Sequence, residues 1–174
     1  MAFTVQNLAA LSPSTNSTVA YPFQKRYSMG TYRQEYTVLA NAIVTNAIVV
    51  PTDAEVRAGE QPSLYYYTDS AAWDTGAQFT LISPRVVEAL GFKPSGKGQY
   101  MGIGGDQESD TFFVHIGLPN GQLKRYVNAY CADLDDYDLL LGMDIITQTD
   151  FLITNKDGKT TFQFRTPSEG GVEL

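Results

Sequence analysis

From Tyr36 onward the chain alternates between β-branched or aromatic runs and short turn signals. Thr37–Val50 is rich in Val, Ile and Thr and stops at Pro51, which predicts one or two strands. Leu64–Thr68 and Ala71–Trp73 read as further strand. Thr111–Leu118 runs into Pro119-Asn120-Gly121 and resumes over Gln122–Val127, the pattern of a hairpin with Asn-Gly at its turn. Phe151–Thr154 and Thr161–Phe164 repeat the device around Asp157-Gly158. A single segment, Pro84–Gly91, has helical character: Ser83 is placed to cap it, Pro84 falls in its first turn and Gly91 ends it. Strands dominate, and the expected fold class is all-β (mainly β) with one short helix.

The first fifth reads differently. Residues 1–35 are rich in Ser, Thr, Asn, Gln and Tyr with weak periodicity, and 11–18 is loop-like. They are expected to form an N-terminal extension, flexible or a pro-segment, ahead of one domain over 36–167 and a tail over 168–174. A chain of 174 residues suits a single core, and there is no internal repeat.

Charge and cysteine content narrow the partners. A formal net charge of -7 argues against nucleic acid, whose phosphates are bound by displacing counterions with Lys and Arg. The single cysteine, Cys131, allows no internal disulfide and suits a reducing compartment. The N-terminus has no basic segment followed by an apolar run, and no window approaches the ~20 apolar residues of a spanning helix. The expectation is a cytoplasmic protein with no membrane partner.

The candidate chemistry lies in Trp73-Asp74-Thr75-Gly76-Ala77. Water attacks a peptide carbonyl when one carboxylate takes its proton and a second, protonated carboxyl polarises the carbonyl oxygen, so two acids must share a proton. An Asp at the end of an apolar strand, followed by a small hydroxyl residue and a glycine, can present such a carboxylate at the bottom of a cleft. Alone, three residues are a weak signal. Two further features follow in order: the glycine-rich Met101-Gly102-Ile103-Gly104-Gly105, and Leu139-Leu140-Leu141-Gly142-Met143-Asp144-Ile145-Ile146.

Together these motifs resemble the retropepsin-like (retroviral-type) aspartic proteases, in their cellular branch, over about residues 37–167. The resemblance implies a half-barrel that homodimerises. It implies that Asp74 is the catalytic acid/base, with Thr75, Gly76 and Ala77 supporting the catalytic loop. Met101, Gly102, Ile103, Gly104 and Gly105 would form the tip of a substrate-binding flap. Leu140, Leu141 and Gly142 would be the structural signature that packs beneath the catalytic loop, followed by a short helix. The implied activity is that of an aspartic endopeptidase, with water activated between two Asp74 carboxyls, one from each subunit, acting on a peptide or protein substrate without cofactor or metal. Only one Asp-Thr-Gly is present: Asp69-Ser70-Ala71 lacks the glycine, and Asp144 lies within the second signature. Trp73, Ala77 and the polar stretch Asp106–Asp110 depart from the commonest viral patterns. They leave room for a non-catalytic peptide- or protein-binding or dimerisation module on the same fold.

Other motifs point nowhere further. Gly102–Gly105 is no dinucleotide fingerprint, because Gln107 holds its third glycine position, and Gly158-Lys159-Thr160 lacks the upstream glycine of a phosphate loop. Asp133–Asp138 resembles a calcium loop in charge alone and reads as a solvated acidic turn. His115 alternates out of phase with Val114 and Ile116 and is expected at the surface, with Cys131 a small core residue.

Overall fold

The computed structural model of the chain describes residues 5–7, 30–57, 61–102 and 105–170. Its strands in chain order are β1 (Val5–Asn7), β2 (Thr31–Tyr36), β3 (Ile43–Pro51), β4 (Leu64–Trp73), β5 (Leu81–Ile82), β6 (Gly96–Gly102), β7 (Gly105–Gly117), β8 (Leu123–Cys131), β9 (Leu139–Leu141), β10 (Asp150–Lys156) and β11 (Lys159–Arg165). Two helices interrupt them among the described residues, α1 (Pro84–Leu90) and α2 (Met143–Ile146). The chain is therefore mainly β, with a second helix beyond the one that sequence spacing alone supports.

The larger sheet closes on itself. β4, β3, β7, β8, β5 and β9 pair in that order, and β9 then pairs with β4 in parallel, so the six strands form a ring. Alternate residues point inward, and Val49, Tyr66, Ala71, Trp73, Phe112, Val114, Leu139 and Leu141 fill a common core. β10, β11 and β2 make a separate antiparallel sheet, which places a strand inside the stretch read as an N-terminal extension. This sheet is fastened to the ring by aromatic packing: Trp73 lies 4.8–5.7 Å, centroid to centroid, from Phe151, Phe162 and Phe164, and its indole N–H donates to Thr45 Oγ1 at 3.0 Å. The unusual Trp before the Asp thus has a packing reason.

Local signals held where the chemistry is local. Asp157 and Gly158 have φ of 52° and 74°, the left-handed pair required by a two-residue hairpin turn. α1 ends at Gly91 with φ 64°, as its C-terminal glycine predicts. Ser83 occupies the N-cap position but makes no side-chain cap. Its hydroxyl is buried without a partner, and its carbonyl receives the Val86 and Val87 N–H groups instead.

His115 departs from expectation. It is 2% exposed, because the face it shares with Val50 is covered by a second apolar cluster of Ile48, Val50 and Tyr65. The strand is covered on both sides here, so alternation no longer separates core from solvent. Cys131 is only partly buried.

Candidate functional site

Asp74 stands immediately after β4, where the chain leaves the ring. Its carboxylate is half-buried and Oδ1 accepts the Gly76 N–H at 2.7 Å, so the loop turns back on its own acid. A Cβ at Gly76 would stand 3.2 Å from that oxygen, which favours glycine here. Thr75 and Gly76 are exposed and Ala77 is partly buried.

The loop is held from below by the second signature. Leu140 and Leu141 lie in β9, in register with Ala72 and Trp73 of β4, and Gly142 caps α2. Asp74 N–H donates to Leu141 O at 3.0 Å, Met143 N–H to Ala77 O at 2.8 Å and Asp144 N–H to Gln78 O at 3.3 Å. Asp144 returns the contact through its side chain: Oδ1 accepts from Thr80 Oγ1 at 2.8 Å and Oδ2 from Thr80 N at 3.1 Å. Gly142 must be glycine for space, since a Cβ would lie 2.5 Å from Phe79 O.

Above the loop, β6 and β7 form a hairpin whose last described pair is Gly102 and Gly105. Met101 and Gly102 end β6, and Gly105 opens β7 with φ 110°. Ile103 and Gly104, read as the tip, lie outside the described residues. Met101 is 84% exposed, an unusual state for a large apolar side chain. Between hairpin and loop is a cleft of about 880 Å³, lined among others by Asp74, Phe79, Leu140, Tyr100, Met101 and Gln107. The order of motifs in the sequence thus becomes floor, acid and roof of one cavity.

Asp133 lines the cleft as well. It is exposed and accepts its own turn's Asp135 N–H at 3.3 Å, so it braces the loop it belongs to. Among the described residues no group of three or more His, Cys, Asp or Glu could hold a metal ion. His115 and Cys131 line no part of the cleft.

The acidic turn contains a residue whose role is not visible in its charge pattern. Asp138 is fully buried and accepts from Thr68 Oγ1 at 2.9 Å, Tyr66 OH at 3.2 Å and Arg85 Nε at 3.1 Å. Arg85 also donates to the carbonyls of Asp135 and Tyr137, clamping α1 onto the turn that leads into β9. Burial, helped by the adjacent Asp138 charge, pushes the Tyr66 phenol up to about 12, so it stays a donor. The solvated reading holds for Asp133, Asp135 and Asp136, which are exposed, and fails for Asp138. The position before the apolar triplet Leu139-Leu140-Leu141 was the available signal.

Residues 68–145 match the family model described as aspartyl protease, a span that contains Asp74, the β6–β7 hairpin and the Leu-Leu-Gly strand. Among solved structures, the protease of simian foamy virus (mac) aligns at 15% identity over 60% of this chain and 92% of its own, with TM-score 0.40. A retropepsin-like aspartic protease from Rickettsia conorii aligns at 15% identity over 81% and 98%, with TM-score 0.47. No curated protein sequence matches. Over residues 68–145, the segment that builds the cleft, this chain is similar to the aspartyl protease family.

Proposed function

We propose that the protein is an aspartic endopeptidase in which Asp74 supplies one of two paired carboxyls and a second copy of the chain supplies the other. The observation that carries this reading is the Asp74 carboxylate, held by the Gly76 N–H at the floor of a cleft sized for peptide and roofed by a glycine-ended hairpin. Proton sharing between two acids is what makes one a base and the other an acid near the same pH. Asp133, the other acid lining the cleft among the described residues, lies on an exposed turn without the Thr-Gly that follows Asp74, which supports assigning the partner carboxyl to a second copy of the chain. A two-fold homodimer would bring two copies of Asp74 together, and the exposure of Thr75 and Gly76 supports a contact with their counterparts there. An extended peptide in the cleft would pair its backbone with the flap strands.

The mechanism follows from this pairing. The ionised Asp74 takes a proton from water as it attacks the scissile carbonyl. The protonated partner donates to the carbonyl oxygen, and collapse of the tetrahedral intermediate passes a proton to the leaving amine. Gly76 N–H, by donating to one oxygen, leaves the other free to face water.

The test is a peptide-library digest by the parent and by Asp74→Asn, with activity followed on dilution. Cleavage should vanish in the variant and fall faster than linearly with protein concentration. Equal cleavage by both proteins excludes the mechanism. The competing reading, a non-catalytic binding module, predicts no cleavage and no affinity for a pepstatin-type transition-state mimic, which needs the paired acids. Of the departures that favoured it, Trp73 is explained by the aromatic core, and Ala77 and the polar stretch Asp106–Asp110 remain.

A further inference from the structure

Tyr130 sits where three parts of the cleft architecture meet. On β8 it pairs with Thr111, at the root of the flap hairpin, and with Leu81 on the strand that leaves the Asp74 loop. Tyr130 is 8% exposed. The Phe79 ring stacks on it at 4.9 Å with planes 22° apart, and the Tyr100 ring meets it edge-on at 5.9 Å and 70°. Phe79 and Tyr100 line the cleft with Asp74, and Tyr130 does not. It touches one residue of the wall and one of the roof from behind.

The flap has few other means of holding its angle. β6 pairs with β7 alone, so its ladder reaches the ring only through β7, at the Gly96–Thr111 pair. The cross-strand ion pair Lys97–Glu108 lies within the hairpin, with side chains 67% and 58% exposed, and such pairs contribute little. Gly98 and Tyr100 share a face of β6 by the two-residue period. A Cβ built at Gly98 would lie 2.5 Å from Tyr130 Cε1 and 3.0 Å from Cζ, so the bare glycine backbone rests against the ring. A methyl there forces the strand or the ring to move.

We propose that Tyr130 is a positioning residue: its ring, between Phe79 and the Gly98–Tyr100 face of β6, sets the height of the flap above the Asp74 floor and so sets substrate affinity. This deepens the endopeptidase reading and rests on it for its kinetic consequence alone. The physical claim, that the ring holds the flap strand, stands without it. The ring and not the hydroxyl does the work, so Phe can replace Tyr here.

The experiment compares the full-length parent with Tyr130→Phe, Tyr130→Leu, Gly98→Ala and Gly98→Ala/Tyr130→Leu, measuring amide hydrogen exchange over residues 96–102 together with kcat and KM on a cleaved peptide. Tyr130→Phe should stay within about twofold of the parent, and Tyr130→Leu should raise KM and flap exchange roughly tenfold with a smaller effect on kcat, since two aromatic contacts are lost. Exchange in β3 should be unchanged, which separates local release of the flap from general destabilisation. Gly98→Ala should mimic Tyr130→Leu, and the double variant should be no worse than Gly98→Ala alone, because the shorter side chain vacates the space the methyl needs. Parental exchange and KM in Tyr130→Leu, or strictly additive effects in the double variant, overturn the proposal. If the parent cleaves nothing, the peptidase reading fails by itself while the exchange data still decide the role of Tyr130.

Discussion

The backbone N–H of Asp74 donates to the carbonyl of Leu141 at 3.0 Å, and through that bond two motifs distant in sequence become one structural unit. The acid can be no better placed than β9 and the Gly142 corner beneath it. Stability and site geometry are therefore coupled at residues that never face the cleft.

Gly142→Ala tests that coupling. The added Cβ would stand 2.5 Å from Phe79 O and 2.6 Å from Phe79 C, both backbone atoms with no rotamer to yield. Overpacking of this kind costs about 1–3 kcal/mol, and here the strain falls on the loop that carries Asp74. Urea unfolding should show the loss, and affinity for a pepstatin-type ligand should drop with it. Gly91→Ala is the contrast: its site is open, and with φ +64° it bears only a left-handed penalty of about 1–2 kcal/mol, with ligand affinity intact.

Asp138→Ala should destabilise the fold by about 3 kcal/mol, because it strands buried donors rather than removing a surface charge. Thr68 and Tyr66 lose their acceptor, and Arg85 loses its hold on the turn before β9. Adding Tyr66→Phe to Asp138→Ala should recover part of the loss, since it deletes one stranded hydroxyl at little change in shape. Denaturant midpoints of the single and double variants check this. A double variant as unstable as the sum of its parts would mean that the hydroxyl finds another partner.

Acid stability should depend on Asp150. Donors from Ser168, Arg165 and the Glu169 backbone hold its carboxyl down to about 2 from 3.8. A carboxyl depressed by folding adds stability above its unfolded pKa, and that stability drains away as pH falls toward the folded value. The contribution is thus complete above about pH 4 and gone near pH 2. The difference in melting temperature between the parent and Asp150→Asn should be largest at neutral pH and should close over that interval.

His115 should act in the same direction at higher pH. Burial, then the charge of Arg125, lower its pKa below 6.5, and Nδ1 accepts the Tyr126 N–H at 3.1 Å, so the neutral ring carries its proton on Nε2. The unfolded chain binds the proton first as pH falls, so stability is full above pH 6.5 and declines below it until the folded imidazole also protonates. It is the sole histidine, so its ring signals in an NMR titration report the site directly. An apparent pKa above 6.5 would contradict the buried placement. Arg125→Gln should raise the value.

What the sequence determined by itself was whatever depends on neighbours along the chain. The alternating strands, the Asp157-Gly158 hairpin and the Gly91 stop of α1 all follow from local φ/ψ preference and period-two patterning. Tertiary structure alone decided the rest. Parallel pairing of β4 with β9 closes the ring and seats Asp74 on Leu141. A strand covered on both faces buries His115, and a network drawn from three separate segments buries Asp138. The reason is physical: alternation reports that a face is buried without saying against what, and a polar side chain enters the core only where distant segments supply its partners.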